Sequence, residues 1–210
     1  MNILGVNILK ILSVFYNKFI YRPMVRRKLQ SVGVNFRLGY HSELLNPHLF
    51  NIGDNFFSGP YCYFVTNQYS PVRICDNVMF GPHCKIIGGN HDYTWTKGYL
   101  NQNDKPLAEF KEILIENGAW IGANSVILTG AKIGEGSVIG SMGLVKSVVP
   151  PYSIAIGVPA NRLIARFECE DHLAELLSNV DSKYSVDDVR KLHDTCHVMS
   201  RSTKTKIYCK

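Results

Sequence analysis

The fold of this chain is decided by residues 115–149, which read IENGAWIGANSVILTGAKIGEGSVIGSMGLVKSVV. An apolar residue returns at every sixth position, and a mostly small residue follows four places later. The apolar set is Ile115, Ile121, Ile127, Ile133, Ile139 and Val145, and the second set is Ala119, Ser125, Ala131, Ser137, Gly143 and Val149. A period of six fits neither the helix repeat nor strand alternation. It predicts a triangular coil, with one short strand per face and the apolar residues stacked inside.

The same six-residue register extends upstream. It continues at Ile52, Ser58 and Phe64 and again at Ile74, Phe80 and Ile86. The spacing of ten positions from Phe64 to Ile74, in place of six, predicts an insertion of four residues at a corner. Weaker matches at Val34, Tyr40 and Asn46 predict a first, irregular coil. The pattern therefore predicts a coil domain over residues 34–166, with Cys62 and Cys84 as small core residues one coil apart.

Composition narrows the class of protein. The chain has 210 residues and a net charge of +6, but seven Lys or Arg and no acidic residue fall within residues 1–42. Because the rest is nearly neutral, a general nucleic-acid-binding surface is disfavoured. Six cysteines without a CxxC pair or a secretory signal predict reduced thiols in a cytoplasmic protein. A zinc site at His83, Cys84 and His91 would match no common spacing, so no metal is predicted.

Residues 1–33 are predicted to form an amphipathic helical arm. Leu4, Ile8, Phe15 and Phe19 fit one helical face, and Pro23 is expected to end or kink the helix before a basic group at residues 26–28. The stretch is too interrupted for a transmembrane helix and does not resemble a signal peptide. Two interpretations stay open: a cap on the open end of the coil, or an interfacial helix on the inner face of the cytoplasmic membrane.

Two further segments leave the repeat. Residues 88–112 form a long polar and aromatic loop, and loops of this length within a regular fold usually have a function. Residues 167–210 are predicted to form a helical cap and a basic tail. Within it, residues 168–179 favour one helix, and a capping box of Ser185 and Asp188 predicts the start of a second.

The ordered motifs together resemble the hexapeptide-repeat acyltransferases. They are the hexads, the loop opening Gly89-Asn90-His91-Asp92-Tyr93, the segment 119–124 and the ending Pro150-Pro151 followed by Gly157-Val158-Pro159-Ala160. The branch is that of maltose, galactoside and polysaccharide O-acetyltransferases, which also includes xenobiotic acetyltransferases. The resemblance implies a mainly β fold, the left-handed parallel β-helix. It also implies a homotrimer with acetyl-CoA bound between neighbouring coils.

His91 is the candidate catalytic residue. The resemblance places the family's catalytic histidine in this loop, and a neutral imidazole near its ordinary pKa of about 6.5 suits a general base. It would take the proton of the acceptor as the acceptor attacks the thioester. Whether Asp92 or a backbone carbonyl orients the ring stays open.

The resemblance also implies contacts with acetyl-CoA. Trp120 would lie beside the thioester end, and Gly122 and Ser141 would offer backbone groups to pantetheine. Lys146 would reach a phosphate, although the family's basic residue stands one position later. Arg162 is a further phosphate candidate, with Arg166 as its alternative.

These features predict an acetyl-CoA-dependent O-acetyltransferase. Its acceptor would be a sugar hydroxyl, most simply of a capsular or O-antigen polysaccharide or of its lipid-linked precursor. One alternative is an N-acetyltransferase of an amino-sugar nucleotide, or a xenobiotic acetyltransferase that inactivates an antibiotic. An alternative of another class is a hexapeptide-repeat scaffold without catalysis.

Overall fold

The computed structural model describes residues 3–103, 105–107 and 109–200. Short strands dominate, with helices at both ends. In chain order the elements are α1 (Ile3–Tyr16), a π-helical segment (Asn17–Tyr21), α2 (Arg22–Lys28), β1 (Ser31–Val32), β2 (Glu43–Leu44), a 3-10 turn (Pro47–Leu49), β3 (Phe50–Ile52), β4 (Phe57–Ser58), β5 (Tyr63–Val65), β6 (Val72–Ile74), β7 (Met79–Phe80), β8 (Lys85–Ile87), a 3-10 turn (Leu100–Gln102), β9 (Ile113–Ile115), β10 (Trp120–Ile121), β11 (Val126–Leu128), β12 (Lys132–Ile133), β13 (Val138–Ile139), β14 (Leu144–Val145), β15 (Val148–Val149), β16 (Ser153–Ile156), β17 (Arg162–Ala165), α3 (Glu170–Asn179) and α4 (Val186–Thr195).

The strands form three sheets, one on each face of a triangular prism. Sheet A has the order β1-β3-β6-β9-β12-β15, sheet B has β17-β16-β13-β10-β7-β4, and sheet C has β14-β11-β8-β5-β2. All pairings are parallel except that of β16 with β17. Each of the four coils from β3 to β14 contributes one strand to each sheet, so the six-residue repeat folds as predicted. The inward residues, from Ile115 to Val145, are 0–1% exposed.

The three edges of the prism differ in regularity. We call them the AB, BC and CA edges after the sheets that they join. Inward residues on either side of the AB and BC edges are six positions apart, as in Ile52, Ser58 and Phe64. Across the CA edge the spacing varies: ten residues separate Phe64 from Ile74 as predicted, and the long loop 88–112 also leaves there. All large insertions therefore lie on one edge.

Two details of the register differ from the prediction. The first coil begins at Ser31 and turns Val32, Leu38 and Leu44 inward, two residues before the predicted Val34, Tyr40 and Asn46. The shift arises because the turn at Pro47–Leu49 adds two residues at the CA edge. Val149 does not occupy a small slot; it pairs with Ile133 as an inward residue, because the CA edge is two residues shorter there.

The N-terminal arm is one helical run with an irregular middle. Pro23 does not end it; it lies in the first turn of α2, directly after the π-helical segment where the helical hydrogen-bond pattern changes. The second half packs most closely on the coil: Val25 is buried in the core, and Arg22 donates to the Leu38 carbonyl at 2.9 Å. In α1 the Ser13 hydroxyl also lies 3.0 Å from the His41 Nε2 atom. In α1, side chains such as Ile11 and Phe15 are 66% and 56% exposed. Residues 17–28 thus contact the first coil, whereas most of the described side chains of α1 are exposed.

The C-terminal helices pack on the last coils. Leu173 of α3 and Val189 of α4 form a second buried cluster with Tyr152 of the coil. The predicted capping box is present, because Ser185 and Asp188 exchange backbone-to-side-chain hydrogen bonds of 3.2 and 3.0 Å. Burial and a hydrogen bond to Glu135 raise the pKa of Tyr152, which stays neutral and anchors the cap. The predicted basic tail, residues 201–210, lies outside the described residues.

Candidate active site

His91 lies where the long loop leaves the CA edge. Gly89 makes the turn with a φ of 84°, and its amide donates to Thr129 of the next coil at 2.7 Å. The loop then folds back on itself, since His91 forms a bridge with Pro106 and the Leu107 amide donates to the Asn90 carbonyl at 2.8 Å. The imidazole is exposed at the root of this loop. It is positioned by backbone pairing and is open to a ligand.

Among the described residues the Asp92 carboxylate forms no hydrogen bond with this imidazole. The carboxylate accepts hydrogen bonds from the amide and the hydroxyl of Thr94, at 3.0 and 2.5 Å. These bonds close the turn at the start of the loop. Of the two orienting groups left open above, Asp92 is therefore already engaged elsewhere.

Trp120 lies on the outer face of sheet B, and its predicted place beside the thioester of acetyl-CoA stays a prediction. Its side chain is 50% exposed and stands between Met79 and Val138 of the adjacent coils. Phe57 continues the same row, so this face carries an apolar ladder along the coil axis. An exposed row of this kind is suited to contact with a ligand or with another chain.

Gly122 has a packing role at the start of the BC edge. A Cβ atom at this position would lie 2.6 Å from both the Ile139 carbonyl oxygen and the Ser141 amide nitrogen. Its own amide donates to Ile139 at 2.8 Å, and its carbonyl accepts from the Cys84 thiol at 3.1 Å. Glycine is therefore required by close approach of two coils. Its predicted backbone contact with pantetheine stays a prediction.

The backbone of Ser141, on the same edge, is more accessible than that of Gly122. It is exposed, and within the described part of the chain its amide and carbonyl have no hydrogen-bond partner. Neighbouring Met142 completes the turn with a φ of 63° and donates to Ala123 at 2.8 Å. A free amide and a free carbonyl side by side are the groups that pair with an amide-containing ligand such as pantetheine.

The two predicted phosphate contacts lie apart. Lys146 is exposed on the CA edge, between β14 and β15. Arg162 is exposed at the start of β17, opposite Ile156 and next to the turn that ends the BC edge. The alternative, Arg166, is half-buried and donates to the Gly136 carbonyl on the AB edge at 2.8 Å, so it supports the C-terminal cap.

The predicted residues thus divide between two edges. Gly122, Ser141 and Arg162 belong to the BC edge, whereas His91 and Lys146 belong to the CA edge. The two edges are separated by a strand of sheet C, about 10 Å for three residues at 3.3 Å each. A general base must lie within about 3 Å of the proton that it removes. One chain alone therefore does not bring His91 to the free backbone of Ser141.

Sequence reasoning missed a ring column on the BC edge. His41, Tyr61 and His83 stack with ring centroids 5.2 and 5.0 Å apart and nearly parallel planes. Their separations of 20 and 22 residues differ because the CA-edge insertions differ. Aligning the coils on the inward residues before comparing corner positions would have revealed the column.

The predicted core cysteines are confirmed. Cys62 and Cys84 are at most 1% exposed and lie in adjacent coils. A hydrogen bond with Cys62 and burial raise the pKa of Cys84, so its thiol stays neutral. Among the described residues no group of three His, Cys, Asp or Glu side chains is placed to hold a metal ion.

Known proteins match this chain in both sequence and fold. Residues 112–146 match the family described as bacterial transferase hexapeptide (six repeats). Within this segment the six-residue repeat is the one that the family model describes. The fold agrees with the predicted left-handed β-helix, and a galactoside acetyltransferase solved in complex with coenzyme A superposes with a TM-score of 0.59. That likeness has 28% identity and covers 70% of each chain.

Curated relatives are named for two acceptor classes. A galactoside O-acetyltransferase of Lactococcus lactis is 30% identical over 136 residues, which cover 56% of this chain and 63% of the relative. A chloramphenicol acetyltransferase of Escherichia coli is 34% identical over 121 residues, which cover 49% and 57%. The chain thus spans about half to under two thirds of the length of these relatives.

Proposed function

We propose that this protein is an acetyl-CoA-dependent O-acetyltransferase that acts on a sugar hydroxyl. The observation that carries the proposal is a pair of complementary edges. The BC edge offers the free backbone of Ser141, and the CA edge offers the exposed His91. The relatives named as acetyltransferases and the neighbour solved with coenzyme A support it.

The site forms between two copies of the chain. Because His91 and Ser141 lie on different edges, a second copy must bring its CA edge to the BC edge of the first. A closed ring with one repeated contact satisfies this requirement for every copy, and a homotrimer is the proposed ring. In it, Lys146 accompanies His91 of one copy, whereas Trp120 and Arg162 belong to the copy that holds most of the acetyl-CoA.

The reaction is a direct acyl transfer. Neutral His91 accepts the proton of the sugar hydroxyl as its oxygen attacks the thioester carbonyl. Collapse of the tetrahedral intermediate breaks the carbon–sulfur bond, and the imidazolium returns the proton to the leaving thiolate. A positioned base of this kind contributes about 10²–10⁴-fold to the rate.

The proposed acceptor is a capsular or O-antigen polysaccharide or its lipid-linked precursor, and α1 supports this choice. Its exposed apolar side chains, including Ile11 and Phe15, are followed along the helical run by exposed Phe19 and then by a basic group that begins at Arg26. Such a helix binds at the surface of an anionic bilayer. None of the helices among residues 3–103, 105–107 and 109–200 has the length and apolar content that crossing a bilayer requires.

Vesicle binding tests the role of α1. Ile11→Ser and Phe15→Ser together should release the protein from vesicles that contain anionic lipid, because both residues are exposed and lie outside the cap at residues 17–28. Equal binding of the double variant and the wild type in a sedimentation assay would refute the membrane contact. Thermal melting of both proteins is the control, because an equal melting temperature shows that the cap at residues 17–28 is intact.

Transfer of labelled acetyl tests the enzymatic proposal. Labelled acetyl-CoA is offered to lipid-linked, polymeric and nucleotide-sugar fractions of the native cell, with wild type and His91→Ala compared. We expect alkali-labile label in a glycan fraction and a loss of about 10²–10⁴-fold in the variant, with coenzyme A affinity unchanged. Near-wild-type turnover would remove His91 from its role, and a lack of label in every fraction would contradict sugar O-acetylation.

A xenobiotic acetyltransferase is the second candidate, since several relatives are named chloramphenicol acetyltransferases. The same assay with chloramphenicol as acceptor separates the two. Chloramphenicol turnover that exceeds transfer to every glycan fraction would favour this candidate. Alkali-stable label on an amino sugar would instead indicate N-acetylation.

A further inference from the structure

The ring column of His41, Tyr61 and His83 continues the BC edge away from Ser141. Backbone hydrogen bonds join the corners of successive coils: His83 donates to Pro60 at 3.0 Å, Asn124 to Pro82 at 3.0 Å and Met142 to Ala123 at 2.8 Å. The edge that holds Ser141 in the fifth coil therefore holds the ring column in the first three. All three rings are exposed.

Local backbone preference does not account for the central ring of this column. Each of the three residues has a positive φ, between 54° and 60°, a conformation that Gly, Asn, Asp and His tolerate best and that disfavours the bulky ring of Tyr61. On the AB edge of the same coils the chain uses Asn35, Asn55 and Asn77. Tyr61 departs from this local preference. Tyr152 does so on the AB edge, where its buried ring packs under the C-terminal helices, whereas Tyr61 is exposed, which indicates a selected function at its position.

The free atoms of the column suit a ligand rich in hydroxyl groups. The Nε2 atom of His41 lies 3.0 Å from the Ser13 hydroxyl, but the Tyr61 hydroxyl and the His83 ring nitrogens have no hydrogen-bond partner among the described residues. A tyrosine hydroxyl and a neutral imidazole each donate and accept hydrogen bonds. Sugar hydroxyls do the same, whereas an anionic ligand would need donors alone.

The column ends beside a cavity. A space of about 550 Å³ lies between α1 and the first coil, and its lining includes Leu12, Ser13, His41 and Glu43. Because His41 lines this cavity, the cavity is continuous with the first ring of the column. The polar ring edges repeat with the coil spacing of about 4.8 Å, so a ligand that contacts all three spans more than one sugar ring.

We propose that the ring column binds the glycan acceptor as an extended oligosaccharide, with its reactive unit near the acetyl donor and its distal units toward the cavity beside α1. The inference rests on the proposed function and adds to it the length and the direction of the acceptor. A lipid-linked glycan bound in this direction would leave its lipid end on the side of the exposed helix.

Asparagine substitutions test the column without straining the backbone. Tyr61→Asn and His83→Asn keep a residue that tolerates positive φ, as Asn124 does on the same edge. Asn55→Gly is the matched control on the AB edge, and Tyr61→Phe keeps the ring but removes its hydroxyl. Transfer of labelled acetyl is measured with full-length protein over a range of glycan concentrations, using the glycan fraction that accepts label from wild type.

If the column binds the acceptor, the asparagine variants should change the binding of the acceptor alone. Tyr61→Asn and His83→Asn should raise the KM for glycan about five- to tenfold, the effect of losing one or two ligand hydrogen bonds, with coenzyme A affinity and kcat near wild type. Asn55→Gly should leave KM unchanged. Wild type should also prefer longer fragments of the labelled glycan over its single repeat unit, and His41→Asn should reduce this preference.

The outcomes separate the two proposals. A wild-type KM for glycan in both ring variants, or equal use of short and long acceptors by wild type, would overturn the ring column while leaving the enzyme in place. Loss of all transfer from wild type to glycans would instead overturn the proposed function, and the column would fall with it. If an asparagine variant fails to fold, a wild-type KM in Tyr61→Phe contradicts the hydrogen-bonding role.

Discussion

The BC and CA edges of the same prism are built on opposite plans. The BC edge keeps six residues between inward positions in every coil, so its corners stack and their side chains form continuous columns. The CA edge varies from a turn shortened by two residues to the long loop that carries His91. A regular edge can hold an extended ligand, whereas an irregular one can present a single side chain far from the coil. The proposed site needs one edge of each kind.

Paired insertions test this difference most strongly. Two glycines inserted after Thr96, in the exposed long loop of the CA edge, should cost less than about 1 kcal/mol, because loop closure depends only weakly on length. The same insertion after Asn124, in the BC edge, should destabilise the fold by several kcal/mol, since buried Ser125 and the strand after it would lose their places in the stack. Denaturant unfolding of both variants measures the contrast, and equal losses of stability would show that the edges tolerate insertion alike.

A pair of alanine substitutions at glycines sharpens the contrast. Gly122→Ala should cost about 1–3 kcal/mol, because its methyl group would meet the backbone of the next coil. Gly130→Ala on the CA edge meets only the side chain of Lys111 at 3.3 Å, so the cost should be about 1 kcal/mol, from its positive φ. Thermal unfolding decides the order, and a larger loss at Gly130 would contradict the close stacking of the BC edge.

The smallest expected effect concerns ligand affinity. Trp120→Ala should weaken coenzyme A binding about tenfold without loss of stability, because the side chain is half exposed and lies next to the BC edge. Phe57→Ala removes a ring of the same sheet B row two coils away and serves as control. Calorimetric titration measures both affinities. Equal weakening in the two variants would place coenzyme A elsewhere on the row.

The sequence predicts the coil well because one physical constraint acts on every repeat. Each apolar residue must stack on its counterpart, so the period of six between Ile115 and Val145 is preserved in the structure. Corner lengths on the CA edge carry no such constraint. The prediction therefore missed the two added residues before Phe50 and the two missing residues before Val149.

The candidate site was only partly predictable for the same reason. Individual residues such as His91 and Trp120 could be named, because they stand at fixed places in recognisable motifs. Their division between two edges depends on which corner each one occupies, and the ring column depends on unequal coil lengths. Both required the strand pairing, since 20- and 22-residue separations show no common period in the sequence.

The exposure of helix α1 also could not be predicted from the sequence. Its apolar face is visible in the sequence, but whether that face packs on the coil is a matter of geometry. The structure assigns the capping contacts to Asn17, Arg22 and Val25 and leaves the preceding two turns exposed. A pattern of apolar residues alone does not distinguish burial from an interfacial role.

The most direct test of the account is complementation between two inactive variants. His91→Ala removes the base from the CA edge, and Ser141→Trp blocks the BC edge, so each protein alone should be inactive. The two chains are co-expressed with different tags, and assemblies that carry both tags are isolated. In a cyclic trimer with sites between copies, about one third of the sites then combine an intact His91 with an intact Ser141. Recovery of about one third of wild-type acetyl transfer is the predicted result, and no recovery in assemblies that carry both tags would contradict a site shared between two edges.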